Sequence, residues 1–150
     1  MHTFKSTMVL PYNIHRVFSF FSDAGNLEKI TPPELCFSVI TPMPLQMKEN
    51  IVIDYKLRLF GIPFEWKARI RSWNSPSQFI DEQIQGPYRL WIHTHRFFDL
   101  GKATRITDEI VYALPLRPLG EAAFPFVHFL LMRIFRFREQ AIHTILHQDR

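Results

Sequence analysis

The chain has 150 residues, of which 47% are hydrophobic, 21% charged and 15% aromatic, and it carries a net charge of +4 with its seven histidines neutral. That length and polarity predict one folded domain, 1–150, and exclude a disordered chain. The basic excess is spread out, with no block of five like charges, which argues against a nucleic-acid surface.

The first run, Thr3 to Leu10, is predicted to be a strand ended by Pro11. Ile14, Val17, Phe18 and Phe21 then recur at helical spacing, with Asn13 placed to cap. A short second helix is expected over Ala24 to Ile30, bounded by Gly25 and by Thr31-Pro32-Pro33. Leu35 to Ile40 is expected to be a strand, and Thr41 to Asn50 a loop. Ile51, Ile53, Tyr55, Leu57 and Leu59 alternate with Asp54, Lys56 and Arg58. After a turn at Gly61 and Pro63, Phe64, Trp66, Ala68 and Ile70 alternate with Glu65, Lys67, Arg69 and Arg71, and Asn74-Ser75-Pro76-Ser77 makes the next turn.

The segment from Gln78 to Pro115 carries the chemistry. It holds three runs separated by Gly86-Pro87 and Gly101-Lys102. Side chains in a strand alternate sides, so Phe79, Asp81, Gln83 and Gln85 share a face. So do Trp91, His93, His95 and Phe97, and so do Ile106, Asp108, Ile110 and Tyr112. The opposite faces carry Arg96, Arg105, Thr107 and Glu109, which suit solvent. The inward face therefore mixes aromatics with titratable groups, as the wall of a cavity does and a plain aliphatic core does not.

One long helix is predicted from Leu119 to His147. Its apolar stripe runs through Phe124, Val127, Leu131, Ile134, Phe135, Ala141, Ile142 and Ile145, and Arg138 interrupts that stripe. Phe126, Phe129, Leu130 and Met132 widen the arc beside Arg133 and Arg136. They suit either packing on the first helices, the mouth of a cavity, or a membrane surface. The longest apolar run, near Ala122 to Met132, contains Pro125 and His128 and is too short to span a bilayer. Cys36 is the only cysteine, so no internal disulfide or cysteine metal site can form. The opening MHTFKSTMVL lacks the pattern of a secretory leader. Both features lead to a cytoplasmic expectation. The fold class is α+β: an antiparallel meander of about six strands covered by an amphipathic helix, with a gap between them where a ligand fits.

The order of elements resembles the START-like, or SRPBCC, superfamily over essentially the whole chain. The matching segments are FSDAGNLEKITPPEL (21–35), YKLRLFGIPFEW (55–66), FIDEQIQGPYRLWIHTHRF (79–97), TDEIVYALP (107–115) and IFRFR (134–138). The resemblance implies a helix-grip fold of the birch-pollen-allergen type and a cavity for apolar or amphipathic molecules. It does not imply one reaction. Relatives stand alone or fused to epimerase-like dehydrogenase domains.

Three uses of the inward residues follow. The first is binding or carriage of a small apolar or amphipathic molecule, lined by Tyr55, Trp66, Gln83, Trp91, His93, His95, Asp108, Tyr112 and Arg138. The second is catalysis of the cyclase, aromatase or dehydratase kind, with His93 or His95 as acid/base and Asp81 or Asp108 as its orienter. The third is a lipid or quinone chaperone at membranes. The spacing of His93 and His95 also suits a metal site, with Asp81 or Asp108 as third ligand. The resemblance implies no metal requirement, and neither metal nor cofactor is expected. No nucleophile elbow, glycine-rich phosphate loop or zinc-protease motif occurs. Arg138 cannot escape burial by losing its proton, so it needs a carboxylate, carbonyls or an anionic group of a ligand, with Asp108 preferred over Asp81, or else it reaches water at the cavity rim along its stem.

Overall fold

A computed structural model describes residues 1–149. Its strands are β1 (His2–Leu10), β2 (Ser38–Val39), β3 (Val52–Leu59), β4 (Ile62–Asn74), β5 (Gln78–Gln85), β6 (Leu90–Asp99) and β7 (Thr104–Ala113). Its helices are α1 (Ile14–Phe21), α2 (Asn26–Lys29), α3 (Leu119–Ala122) and α4 (Phe124–Gln148). The strands form one antiparallel sheet in the order β1-β7-β6-β5-β4-β3-β2. Strands β3 to β7 follow one another as a meander. The first strand returns to pair with the last, from His2 opposite Tyr112 to Leu10 opposite Thr104.

α4 covers the inward face, and its contacts show how far the sheet wraps. Phe135 meets Phe4 of β1 at a ring distance of 5.2 Å. Leu130 and Ile134 pack with Leu57 and Trp66 on β3 and β4, toward the other edge. Ile142 and Leu146 join Phe79, Phe97 and the α1 residues Val17 and Phe18 in the largest apolar cluster. A sheet whose two edges both reach one helix must curve around it, and this is the helix-grip architecture. α1 is held at its start by Asn13, whose side chain accepts from the Arg16 amide at 2.9 Å. At the far end of α4, Arg16 Nη2 donates to the Leu146 carbonyl at 2.6 Å.

Four sequence expectations need correction. The long helix is broken: α3 ends before Ala123, and α4 starts with Pro125 in its first turn, where a missing N–H is tolerated. The expected strand over Leu35 to Ile40 shrinks to β2, because Pro33–Leu35 form a helical turn and Cys36 takes a left-handed φ of 47°. The helix expected over Ala24 to Ile30 is only the single turn of α2. Finally, the alternation read along β4 does not hold through to its end at Asn74. Its ladder steps from Ile70 opposite Asp81 to Ser72 opposite Ile80, so Arg71 is an extra residue. A bulge reverses the alternation, and it turns Trp73 inward against Phe18 at 5.0 Å.

The widened arc of α4 is split. Leu130 packs inward. Phe126 and Phe129 are 66% and 69% exposed, and Leu116 and Leu119 are exposed as well. No helix among the described residues is long and apolar enough to cross a membrane.

Candidate functional site

Three neighbouring strands bring four titratable side chains together. In register, His93 stands opposite Asp81 on β5, and His95 stands opposite Asp108 on β7. The hydrogen bonds run diagonally instead. His93 Nε2 lies 2.8 Å from Asp108 Oδ1, and His95 Nε2 lies 2.7 Å from Asp81 Oδ2. Diagonal partners on one face of a sheet are within reach of long side chains. The two imidazoles stack with centroids 3.6 Å apart and planes at 28°. Phe79 stacks on the other side of His95 at 4.0 Å. His95 Nδ1 lies 3.1 Å from Asp108 Oδ1 but out of line for a hydrogen bond, so it counts as a charge contact and the nitrogen is left without a partner.

Burial and mutual contact set the charges of this cluster. Burial alone would raise the carboxyl of Asp108, but the hydrogen bond from His93 and the close approach of both histidines outweigh it and hold the group far below the usual carboxylate range. Asp81 is lowered in the same way, against burial, by His95 and then His93. His93 is lowered, first by burial and then by the charge of His95. His95 is raised, because Asp108 and Asp81 together overcome the effect of burial. Both carboxylates are thus pushed toward the ionised form, and of the two histidines His95 is the one pushed toward the protonated form.

The cluster forms one wall of a cavity between the sheet and α4. The cavity has about 140 Å³ of space open to a water-sized sphere. Tyr55, Trp66, Asp81, Trp91, His93, His95 and Arg138 all line it. Trp66 meets Trp91 edge-on at 5.1 Å, and Tyr88 packs against both. Burial raises the Tyr55 hydroxyl well above its ordinary value, and the charge of Asp81 adds to this. The phenol is thus a neutral donor facing a largely apolar space.

The remaining candidates lie elsewhere. Asp108 is only 4% exposed and sits behind the two histidines, outside the cavity lining. Tyr112 is fully buried between His2, Tyr88 and Trp91 and also does not line it. Gln83 serves the β5–β6 turn: its amide donates to the Tyr88 carbonyl at 2.7 Å and accepts from the Tyr88 amide at 3.1 Å. Gln83→Ala should therefore lower stability by about 1–2 kcal/mol, the worth of two such bonds, and leave ligand affinity unchanged. Urea unfolding and a binding titration on the same variant check both halves.

The expected Arg138–Asp108 ion pair does not form. Asp108 is taken up by the histidines, and among the described residues no carboxylate reaches Arg138. The guanidinium lies over the Phe135 ring at 4.9 Å, and its Nε is buried without a hydrogen-bond partner. Burial lowers its proton affinity, with Asp108, Asp81 and Tyr55 offsetting this at longer range. Sequence reasoning passed over Phe37, Met47 and Tyr88, which also line the cavity. They belong to loops, where no alternation marks a face. The one sequence cue was that Tyr88 follows the Gly86-Pro87 turn.

No family model and no curated protein matches the chain. Solved structures do. A START superfamily protein from Mycobacterium smegmatis is similar over 100% of both chains, with a TM-score of 0.76 and 14% identity. The Zhui aromatase/cyclase from Streptomyces sp. R1128 is similar over 98% of this chain and 94% of its own, with a TM-score of 0.77 and 13% identity. A nucleoside-diphosphate sugar epimerase from Corynebacterium glutamicum is similar over 96% of this chain but only 29% of its own, with a TM-score of 0.69 and 22% identity. At these identities the likeness carries the fold and nothing finer.

Proposed function

We propose that this chain, which has the START-like helix-grip fold, binds a small apolar or amphipathic molecule in the cavity between its sheet and α4. The observation that supports this most is the make-up of the cavity wall. Trp66, Trp91 and Leu57 offer an apolar bed, while Tyr55, Arg138 and the histidines offer polar contacts. A molecule with an apolar body and one polar end matches both. The open volume suits a ligand of about one ring, since an apolar cavity of about 150 Å³ takes benzene. A larger ligand requires α4 to move outward.

Titration with an apolar fluorophore should saturate at about one site per chain. Trp66→Ala should weaken that binding about tenfold, which corresponds to about 1.4 kcal/mol for a lost aromatic contact. Folded protein that shows no saturable binding would sink the reading. Mass spectrometry of molecules extracted from the purified protein identifies the ligand class. A chemically altered product would instead favour a cyclase-type enzyme using His93 or His95.

A second reading, a lipid or quinone chaperone, is favoured by one specific feature. Leu116, Leu119, Phe126 and Phe129 are all exposed apolar side chains, within a stretch of chain that also carries Arg117 and Arg136. Sedimentation with anionic liposomes separates it from a purely soluble carrier.

A further inference from the structure

We propose that His93, His95 and Asp81 form a binding site for a divalent first-row transition-metal ion, with Asp108 as the group that orients both histidines. The first support is convergence. His93 Nδ1 and His95 Nε2 face the same oxygen, Asp81 Oδ2, at 3.8 and 2.7 Å. One donor atom from each of the three residues lies within 4.8 Å of the others. Metal bonds of about 2.0–2.2 Å to nitrogen and oxygen set neighbouring donors roughly 3–3.5 Å apart. Shifts of less than about an ångström bring the three residues to that spacing, with the ion in place of the proton held between His95 and Asp81.

The second support is what stands behind the histidines. The other nitrogen of each ring, His93 Nε2 and His95 Nδ1, is turned to a single oxygen of Asp108, at 2.8 and 3.1 Å. A metal-bound histidine usually gives its second N–H to a carboxylate, which fixes the tautomer and aims the lone pair. Here the Asp108 carboxylate does this for His93, lies beside His95 Nδ1 as a charge contact, and leaves the other nitrogen of each ring toward Asp81. A cluster built only to satisfy two buried histidines has no need of this arrangement. It also leaves His95 Nδ1 without an in-line partner.

The third support is the open side. Asp81, His93 and His95 line the cavity, whereas Asp108 does not. Three protein donors with free positions toward a cavity describe a site that also takes a ligand atom, not a closed structural site. Two imidazoles and one carboxylate select zinc, iron(II) or cobalt(II) over calcium or magnesium. The two carboxylates match the divalent charge, so Arg138 is not required as a counter-ion. All four residues stand on paired strands, which hold such geometry more firmly than loops. The site does not depend on which molecule fills the apolar part of the cavity.

The test uses the whole protein, stripped with a chelator and dialysed, and Zn²⁺ or Co²⁺ alone as probe. About one equivalent should bind per chain with a visible cobalt absorption band. In imidazole nitrogen–proton correlation spectra of unmutated protein, Zn²⁺ should move His93 and His95 before His2, His15, His128, His143 or His147. Asp108→Asn should weaken binding about 10–100-fold at unchanged stoichiometry, and His93→Ala should weaken it further. Zinc that moves the other histidines first, or that fails to bind, overturns the proposal. So does equal affinity in wild type and His93→Ala. Because the spectra need no substitution, a variant that fails to fold leaves the test intact.

Discussion

Asp108→Ala should cost about 3–5 kcal/mol of stability, the range for removing one partner from a buried charged pair. The carboxylate is 4% exposed, accepts from His93 at 2.8 Å and contacts His95 at 3.1 Å. Its removal leaves two imidazoles facing a void that water cannot easily fill, between strands that have no freedom to close it. Asp81→Ala removes a similar bond, to His95 at 2.7 Å, yet should cost only about 1–2 kcal/mol. Its side chain is 21% exposed and lines the cavity, so water can take the place of the lost oxygen. Urea unfolding at constant slope measures both. Equal costs for the two variants would refute the view that Asp108 is the structural anchor and Asp81 the cavity-facing member.

The alternation in the segment from Gln78 to Pro115 was enough to bring Asp81, His93, His95 and Asp108 onto one face, because a period of two is a property of the chain itself. Which carboxylate meets which histidine was not legible. That depends on register and on side chains reaching diagonally, and both are set across strands. The sequence also could not say that Asp108 stands behind the histidines and Asp81 in front, since depth is decided by where α4 lies. The inward turn of Trp73 was hidden for a related reason. A bulge at Arg71 resets the parity, and no residue type announces it. The break at Ala123 was half visible, in Pro125, which ends one helix and starts the next. Gln83 had the right parity, but its amide is held by a turn that parity does not describe.

Arg138→Met should raise stability by on the order of 1–2 kcal/mol, because a half-buried guanidinium, whose buried Nε has no hydrogen-bond partner, is replaced by an apolar side chain. The surroundings suit the replacement: Phe135 lies against the guanidinium, and the apolar stripe of α4 continues on both sides. Natural cores rarely keep such a group unless it serves something else. The same variant should bind a purely apolar fluorophore as well as wild type does, while losing affinity for amphipathic probes whose polar end reaches the guanidinium. A fall in melting temperature would show that the distant charges of Asp81 and Asp108 are enough to compensate Arg138. It would then be a structural member of the cluster, like Asp108. A rise, together with selective loss of amphipathic binding, would place the arginine among the residues that the fold carries at a cost in stability. The most economical reason for that cost is a polar group on the ligand.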